Sequence, residues 1–568
     1  MSSIVALIIA LVVAVLGYRW YSTHIDTRVI KADPKRATPA KMYMDGVDFI
    51  PTGRHVLFGY QFKSIAALGP ITGPIVAVKW GWLPGLIWII GGAFLFGWAH
   101  DYASAFLTVR NDGQSFGALS YRLISPRGRA TLMSFIYFYL LLMLSAFGSI
   151  VANMLAKQPV VPVAIIALTI TGILAGQAIY KKRMDIILVT VVMVALSVVG
   201  IWLGTVWKIP ITSVDVWLIF VLFFSYLGAV LPIWAFAQPI NYIAFYLVAL
   251  GMIGAIVGVF IGHPAMTMPA FTGFLTKTGE PLWPLLFVTI ACGAISGWHS
   301  LVSSSGTGRQ IENETDVKYV VAGAMFTEMV LAVLALIIAA AAVGAAGYGE
   351  AIKGGPANVF SQGLASLLGF FGISQDFGLA FGGAMFAILA ITVTQLVVRF
   401  MRVATVEMLG QKIPLLGNIH LGTLVALFLG WLLVKTGTWN YIWTLFGGAN
   451  QLMASLALML ASIWLAREGK AWGWTFYPML FMIATTIVAL AVTAYTMVFN
   501  VVPGLRAGTV LPPAGQSVAA AIAGNYIAAA IGVFLIIAAL ILANDGLRAF
   551  FKARGERSSS AVAPSQSV

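Results

Sequence analysis

Leu68-Gly69-Pro70-Ile71-Thr72-Gly73-Pro74 interrupts a long apolar stretch with two Gly-Pro steps. Proline lacks a backbone N–H and clashes with the preceding helical turn, so the stretch is predicted to be a helix broken over 55–80. Lipid cannot satisfy the polar groups that such a break frees. It persists only inside protein or beside water. Transporters place substrates and ions at breaks of this kind, near the bilayer midplane.

The rest of the chain is built for the same solvent. Of 568 residues, 60% are apolar and only 9% charged, and mean hydropathy is +0.95. These values exclude a soluble domain and imply a polytopic all-α membrane protein. Apolar runs mark about fifteen spans, near 3–21, 55–80, 83–109, 130–154, 160–180, 184–206, 215–237, 240–262, 282–304, 318–346, 378–401, 416–435, 439–466, 474–499 and 526–547.

With the N-terminus outside and the C-terminus inside, Lys79, Lys157, Lys208, Lys277, Lys353, Lys435 and Arg506 fall on the outer side. Lys63 lies within a span, and the remaining Lys and Arg occupy inner connections. That is the positive-inside pattern, and it accounts for the net charge of +14 without nucleic acid. The lone Cys292 excludes an internal disulfide. The first span lacks a basic start and a cleavage site, so it reads as a retained anchor. Residues 22–54 read as a basic cytoplasmic surface segment, and 358–371 as a short interfacial helix.

A second break is expected in span seven, where Tyr226–Pro239 carries Gly228, Pro232, Gln238 and Pro239. Spans two and seven would run in opposite senses five spans apart, the mark of two inverted five-helix repeats. The expected division is an anchor helix over 1–22, a basic segment over 23–54, repeats over 55–210 and 211–410, accessory helices over 411–550 and a disordered tail over 551–568.

Ser296–Thr307 gathers Trp298, His299, Ser303, Ser304, Ser305 and Thr307. Hydroxyl oxygens suit Na⁺ and can also form a proton network, or simply glue helices together. His100-Asp101 follows Trp98 in span three; intramembrane charges are costly and mark ion or proton paths, although structural pairing is an equal reading. Lys63 precedes the first break. It could neutralise an acid substrate, stand in for a coupling cation, or snorkel to the inner face. Glu328 reads as a bundle hydrogen bond, and Gln395, Asn450 and Gln451 as packing glue. No phosphate loop, zinc spacing or nucleophile motif is present, which points away from an enzyme and towards an ion gradient as energy source.

The strings DGVDFIPTGRHVLFGYQFKSIAALGPITGPIVAVKWGWLPGLIWIIGGAFLFGWAHDY (45–102), ACGAISGWHSLVSSSGT (291–307), ENETD (312–316) and WTLFGGANQLMASLAL (443–458) resemble the carbon starvation protein A family over roughly 43–500. The resemblance implies an inner-membrane carrier of the amino acid–polyamine–cation type, with a LeuT-like pair of inverted repeats. It also implies uptake of peptides in starvation, or proton-coupled uptake of pyruvate. Carried over, Gly69, Pro70, Thr72 and Gly73 line the substrate, and Ser303, Ser304 and Ser305 take the place of a sodium site. From the residues themselves, Gly228, Gln238 and Asn241 at the second break and Trp298 in span nine are expected to join the substrate site, and Lys63, His100, Asp101, His299 and Thr307 to complete the coupling set. The chain departs from the family pattern at Ile240-Asn241, where an Arg-Asp pair is expected, and at Gln395, where an acid is expected. A nutrient sensor acting through a partner protein is the alternative reading.

Overall fold

A computed structural model describes residues 2–410, 412–435, 439–512 and 516–562. Among them are eleven helices long and apolar enough to cross a membrane, and no β-strand beyond isolated bridges. This is a multi-pass membrane protein.

Helix α1 (Ser3–Ile30) is longer than the predicted span and carries two π-turns. The interrupted pair α2 (Arg54–Ile65) and α3 (Gly69–Ala77) follows. The unwound link is Ala66-Ala67-Leu68, just before the Gly-Pro steps rather than within them. Pro70 sits in the first turn of α3, where its missing N–H costs nothing. Next come α4 (Trp82–Val109), α5 (Pro126–Lys157), α6 (Val161–Lys181) and α7 (Ile186–Val206).

The expected break in span seven is a helix end instead. Helix α8 (Val214–Val230) stops before Pro232, and α9 (Ala237–Gly262) begins after a short link. The second interrupted helix is span nine. There α10 (Leu282–Thr289) unwinds over residues 290–296, and α11 (Gly297–Leu301) resumes and widens through a π-turn to Gly306. The series ends with α12 (Lys318–Gly354), α13 (Pro356–Gly369), α14 (Gln375–Leu409), α15 (Ile419–Lys435), α16 (Trp439–Arg467), α17 (Gly473–Ala507) and α18 (Val518–Val562). Helix α13 covers most of the stretch 358–371 expected to form a short helix. Helix α18 continues from 551 to Val562, where a disordered tail was predicted; 563–568 lie outside the described residues.

The two interrupted helices run antiparallel, side by side. Gln61 meets Ser303 at 2.9 Å, Trp298 Nε1 donates to the Ser64 carbonyl at 2.6 Å, and Lys79 pairs with Glu280 at 2.8 Å. Close approach at the waist requires glycine. A Cβ on Gly69 would strike the Cys292 side chain, and one on Gly73 would lie 2.6 Å from the Thr289 carbonyl oxygen.

Residues 31–53 are tied to the rest of the protein. They form a strap across the 309–316 turn. Thr52 N–H donates to the Gln310 carbonyl at 3.0 Å, Thr38 Oγ1 to Glu312 O at 3.2 Å, and Asp48 pairs with Arg399 at 3.1 Å. Asp45 shapes the bend by accepting N–H bonds from Val47, Asp48 and Phe49. Burial works to raise its carboxyl, but those donors pull it below the usual range. Arg110 holds the strap's start, bonding both Glu314 and the Lys31 carbonyl.

Candidate functional site

A cavity of about 210 Å³ opens where the two unwound regions meet. Gly69, Thr72 and Gly73 form one wall, Thr289, Ala291 and Cys292 a second, and Asn450 with Gly447 of α16 a third. Thr72 Oγ1 is buried and has no hydrogen-bond partner among the described residues. Glu280 and Lys79 stand at the far end. Partial burial works to raise the Glu280 carboxyl, but the Lys79 ammonium and the hydroxyls of Thr278 and Thr276 hold it below the ordinary range.

Side chains from distant helices bond the start of the unwound stretch and the helix ends that flank it. Trp88 Nε1 donates to the carbonyls of Phe287 and Ile290 at 3.1 and 3.0 Å. Gln451 Nε2 donates to Phe287 O at 2.7 Å. Asn450 Oδ1 accepts from Trp298 N–H at 3.1 Å, Ser296 Oγ at 3.2 Å and Tyr139 Oη at 2.7 Å. Asn450 is therefore both cavity wall and clamp, a role its reading as packing glue missed. The available signal was an amide in an otherwise apolar span.

The expected site residues divide into groups. Gly69, Thr72 and Gly73 line the cavity, and Pro70 starts the half-helix beside it. Trp298 sits just past the second unwound stretch, bonded to Ser64 O and packed on Phe400. Gly228, Gln238 and Asn241 are elsewhere. The Gly228 carbonyl is capped by Arg399, Gln238 bonds Gln310 and Thr52, and Asn241 returns to Ala237 O. None of the three lines the cavity.

The serine cluster is consumed internally. Gln61 bridges Ser303 and Thr307, Ser304 donates to Ser300 O, and Ser305 lines a separate crevice with Phe400 and Glu407.

Beside α11 lies a buried chain of ionisable groups. His100 Nδ1 is 2.8 Å from Asp101 Oδ1, and His299 Nδ1 is 3.0 Å from Asp101 Oδ2. His299 Nε2 is 3.1 Å from Glu328 Oε2, though out of line for a hydrogen bond. All four side chains are fully buried. One imidazole thus stands between two carboxylates on a half-helix, an arrangement that can hold and release a proton. Glu328 is a member of this chain, which its reading as a helix-bundle hydrogen bond did not anticipate. Among the described residues no His/Cys/Asp/Glu group has the geometry for a metal ion. Lys63 is buried in α2 and donates to Thr392 Oγ1 at 2.6 Å. It does not snorkel.

A sequence profile described as "Carbon starvation protein CstA" matches residues 2–350 and 340–489. The chain belongs to this family. Among its relatives, a pyruvate/proton symporter of Escherichia coli is 34% identical over 342 residues, covering 58% of this chain and 47% of the relative. The chain thus matches under half of that relative's length. A peptide transporter of Bacillus subtilis is 30% identical over 81% of this chain and 85% of its own length. One from Escherichia coli is 28% identical over 80% and 76%. Among solved structures, a nucleobase-cation-symport-1 family transporter overlays with a TM-score of 0.44 and 14% identity, covering 88% of this chain and 96% of the other. A manganese transporter of Eremococcus coleocola overlays with 0.44 and 14%, covering 89% and 99%.

Proposed function

We propose that the chain is a secondary active symporter of a cell (inner) membrane. It takes up a small organic acid of the pyruvate kind, or a short peptide, when nutrients are scarce. The observation that carries this reading is the cavity between two antiparallel, interrupted helices. The kinship with a pyruvate/proton symporter and with peptide transporters supports it. At about 210 Å³ the cavity is below the roughly 300–1,000 Å³ of drug-sized pockets, which suits a ligand of few atoms.

The driving ion is a proton, carried by Asp101, His299 and Glu328 with His100 in support. The internal pairing of Ser303, Ser304 and Thr307 favours this over sodium. The topology in this reading has fifteen crossings, with the N-terminus outside. An inverted repeat is organised on spans two and nine, in place of two and seven. Rocking around the unwound links exposes the cavity alternately.

The test is accumulation of labelled pyruvate and dipeptides by purified protein in liposomes, under separate pH and Na⁺ gradients. Accumulation under a pH gradient alone is expected. Accumulation under Na⁺ alone would reassign the ion. Ligand binding without accumulation under either gradient would make the chain a sensor.

A further inference from the structure

Lys63 is a fully buried amine in the membrane interior with no carboxylate within ion-pair reach among the described residues. An ammonium carries three donors, and one described contact, Thr392 Oγ1, is assigned to it. That hydroxyl is itself engaged as a donor to Ile388 O. One turn along the same face of α14, Gln395 is fully buried with neither amide atom hydrogen-bonded. On α2, Tyr60 lies one turn before Lys63 and Ser64 directly follows it. Both are buried, and they lie near one another without an aligned hydrogen bond.

Buried polar groups are normally partnered, and a buried charge is costly unless paired. Here an amine with one hydroxyl partner, an unpartnered amide one turn along from that hydroxyl, and two unpartnered hydroxyls on the amine's own helix lie on two packed helices, just before the unwound Ala66–Leu68 link. Their chemistry fits one ligand group, an anion that accepts from Lys63, the Gln395 amide and the hydroxyls.

We propose that Lys63 anchors the carboxylate of the transported molecule, with Gln395, Tyr60 and Ser64 completing the cradle. The outer cavity receives the substrate, and the carboxylate moves past Gly69 to Lys63 as the link opens. An α-keto acid and a peptide C-terminus share what this cradle reads, a carboxylate beside a carbonyl. The anchor rests on the symporter reading and names its substrate class.

Uptake by purified protein in liposomes distinguishes the two. Pyruvate is compared with pyruvamide, and dialanine with dialanine amide, in the parent chain, Lys63→Gln and Lys63→Arg. The parent is expected to prefer each acid by about tenfold or more, the weight of a charge-assisted contact. Lys63→Gln brings the ratio to about one and still admits the amides, and Lys63→Arg keeps the preference. An unchanged acid preference in Lys63→Gln overturns the anchor. So does a loss of concentrating power with the preference intact, which would make Lys63 a proton carrier. Should Lys63→Gln not fold, thermal protection of the parent decides: stabilisation by pyruvate and not by pyruvamide is expected, and equal stabilisation overturns the proposal. If the parent accumulates none of the four compounds, the symporter reading itself falls and the anchor with it.

Discussion

Gly73→Ala adds one methyl group at the waist where it faces backbone. Its Cβ would lie 2.6 Å from the Thr289 carbonyl oxygen and 3.1 Å from Ile290 Cα. Both are backbone atoms of the second interrupted helix and cannot swing aside. Reaching the 3.0 Å that real contacts tolerate requires a separation of at least 0.4 Å between α3 and α10. Overpacking of this kind costs about 1–3 kcal/mol. Falling on the closed packing alone, it shifts the population of an opened waist by roughly 5- to 150-fold. The chain's sole cysteine reports this directly, because Cys292 lines the same cavity. Its alkylation by a small maleimide, timed in proteoliposomes, is expected to accelerate by that factor, with a lowered melting temperature. Gly85→Ala is the control. Its Cβ meets only Ile290 and Leu336 side-chain atoms, at 3.5 Å or more, and replacing a helical glycine favours the helix by about 1 kcal/mol. Equal alkylation rates and melting temperatures in the two variants would refute the waist as a close-packed contact.

Other outcomes follow from the same geometry. Glu328→Gln leaves His299 with one acid, so substrate counterflow persists while pH-driven accumulation collapses; equal accumulation in both proteins would remove Glu328 from the coupling path. The Glu280 carboxyl is held below its ordinary 4.5 in the folded chain. Its ion pair with Lys79 therefore contributes fully above that value and is lost as pH falls through the lower folded value. The thermal unfolding midpoint drops over that acid range, and Glu280→Gln removes this step. Asn450→Ala strips acceptors from the Trp298 amide, Ser296 and Tyr139. A buried donor left unmet costs about 1–3 kcal/mol, so thermal unfolding should move down clearly; an unchanged midpoint would mean that water replaces the amide.

Much of this architecture is legible in the residues. Apolar run length fixes where helices lie, and Gly69-Pro70 marks the first interruption to within a few residues. The second was misplaced because glycine and proline look alike at a helix end and at a mid-membrane break. Pro232 merely follows the end of α8, whose last carbonyls are met by Arg399 and Arg402 from α14. The true break, Ile290–Ser296, contains no proline at all. It is held open where Trp88, 202 residues away, bonds the Ile290 carbonyl, while Gln451 and Asn450 bond the flanking Phe287 carbonyl and Trp298 N–H. Nothing local encodes that. His299 and Asp101 stood out as charges in apolar sequence. Glu328 looked no different from a structural acid until folding set it opposite an imidazole.

The strap of residues 31–53 joins the first helix to the first interrupted helix and lies over the 309–316 turn that follows the second. Any excursion that parts this end of the two interrupted helices must peel Asp48 from Arg399 and Thr52 from Gln310. The strap is tethered at both ends and cannot diffuse away, so its re-docking is a local, first-order step.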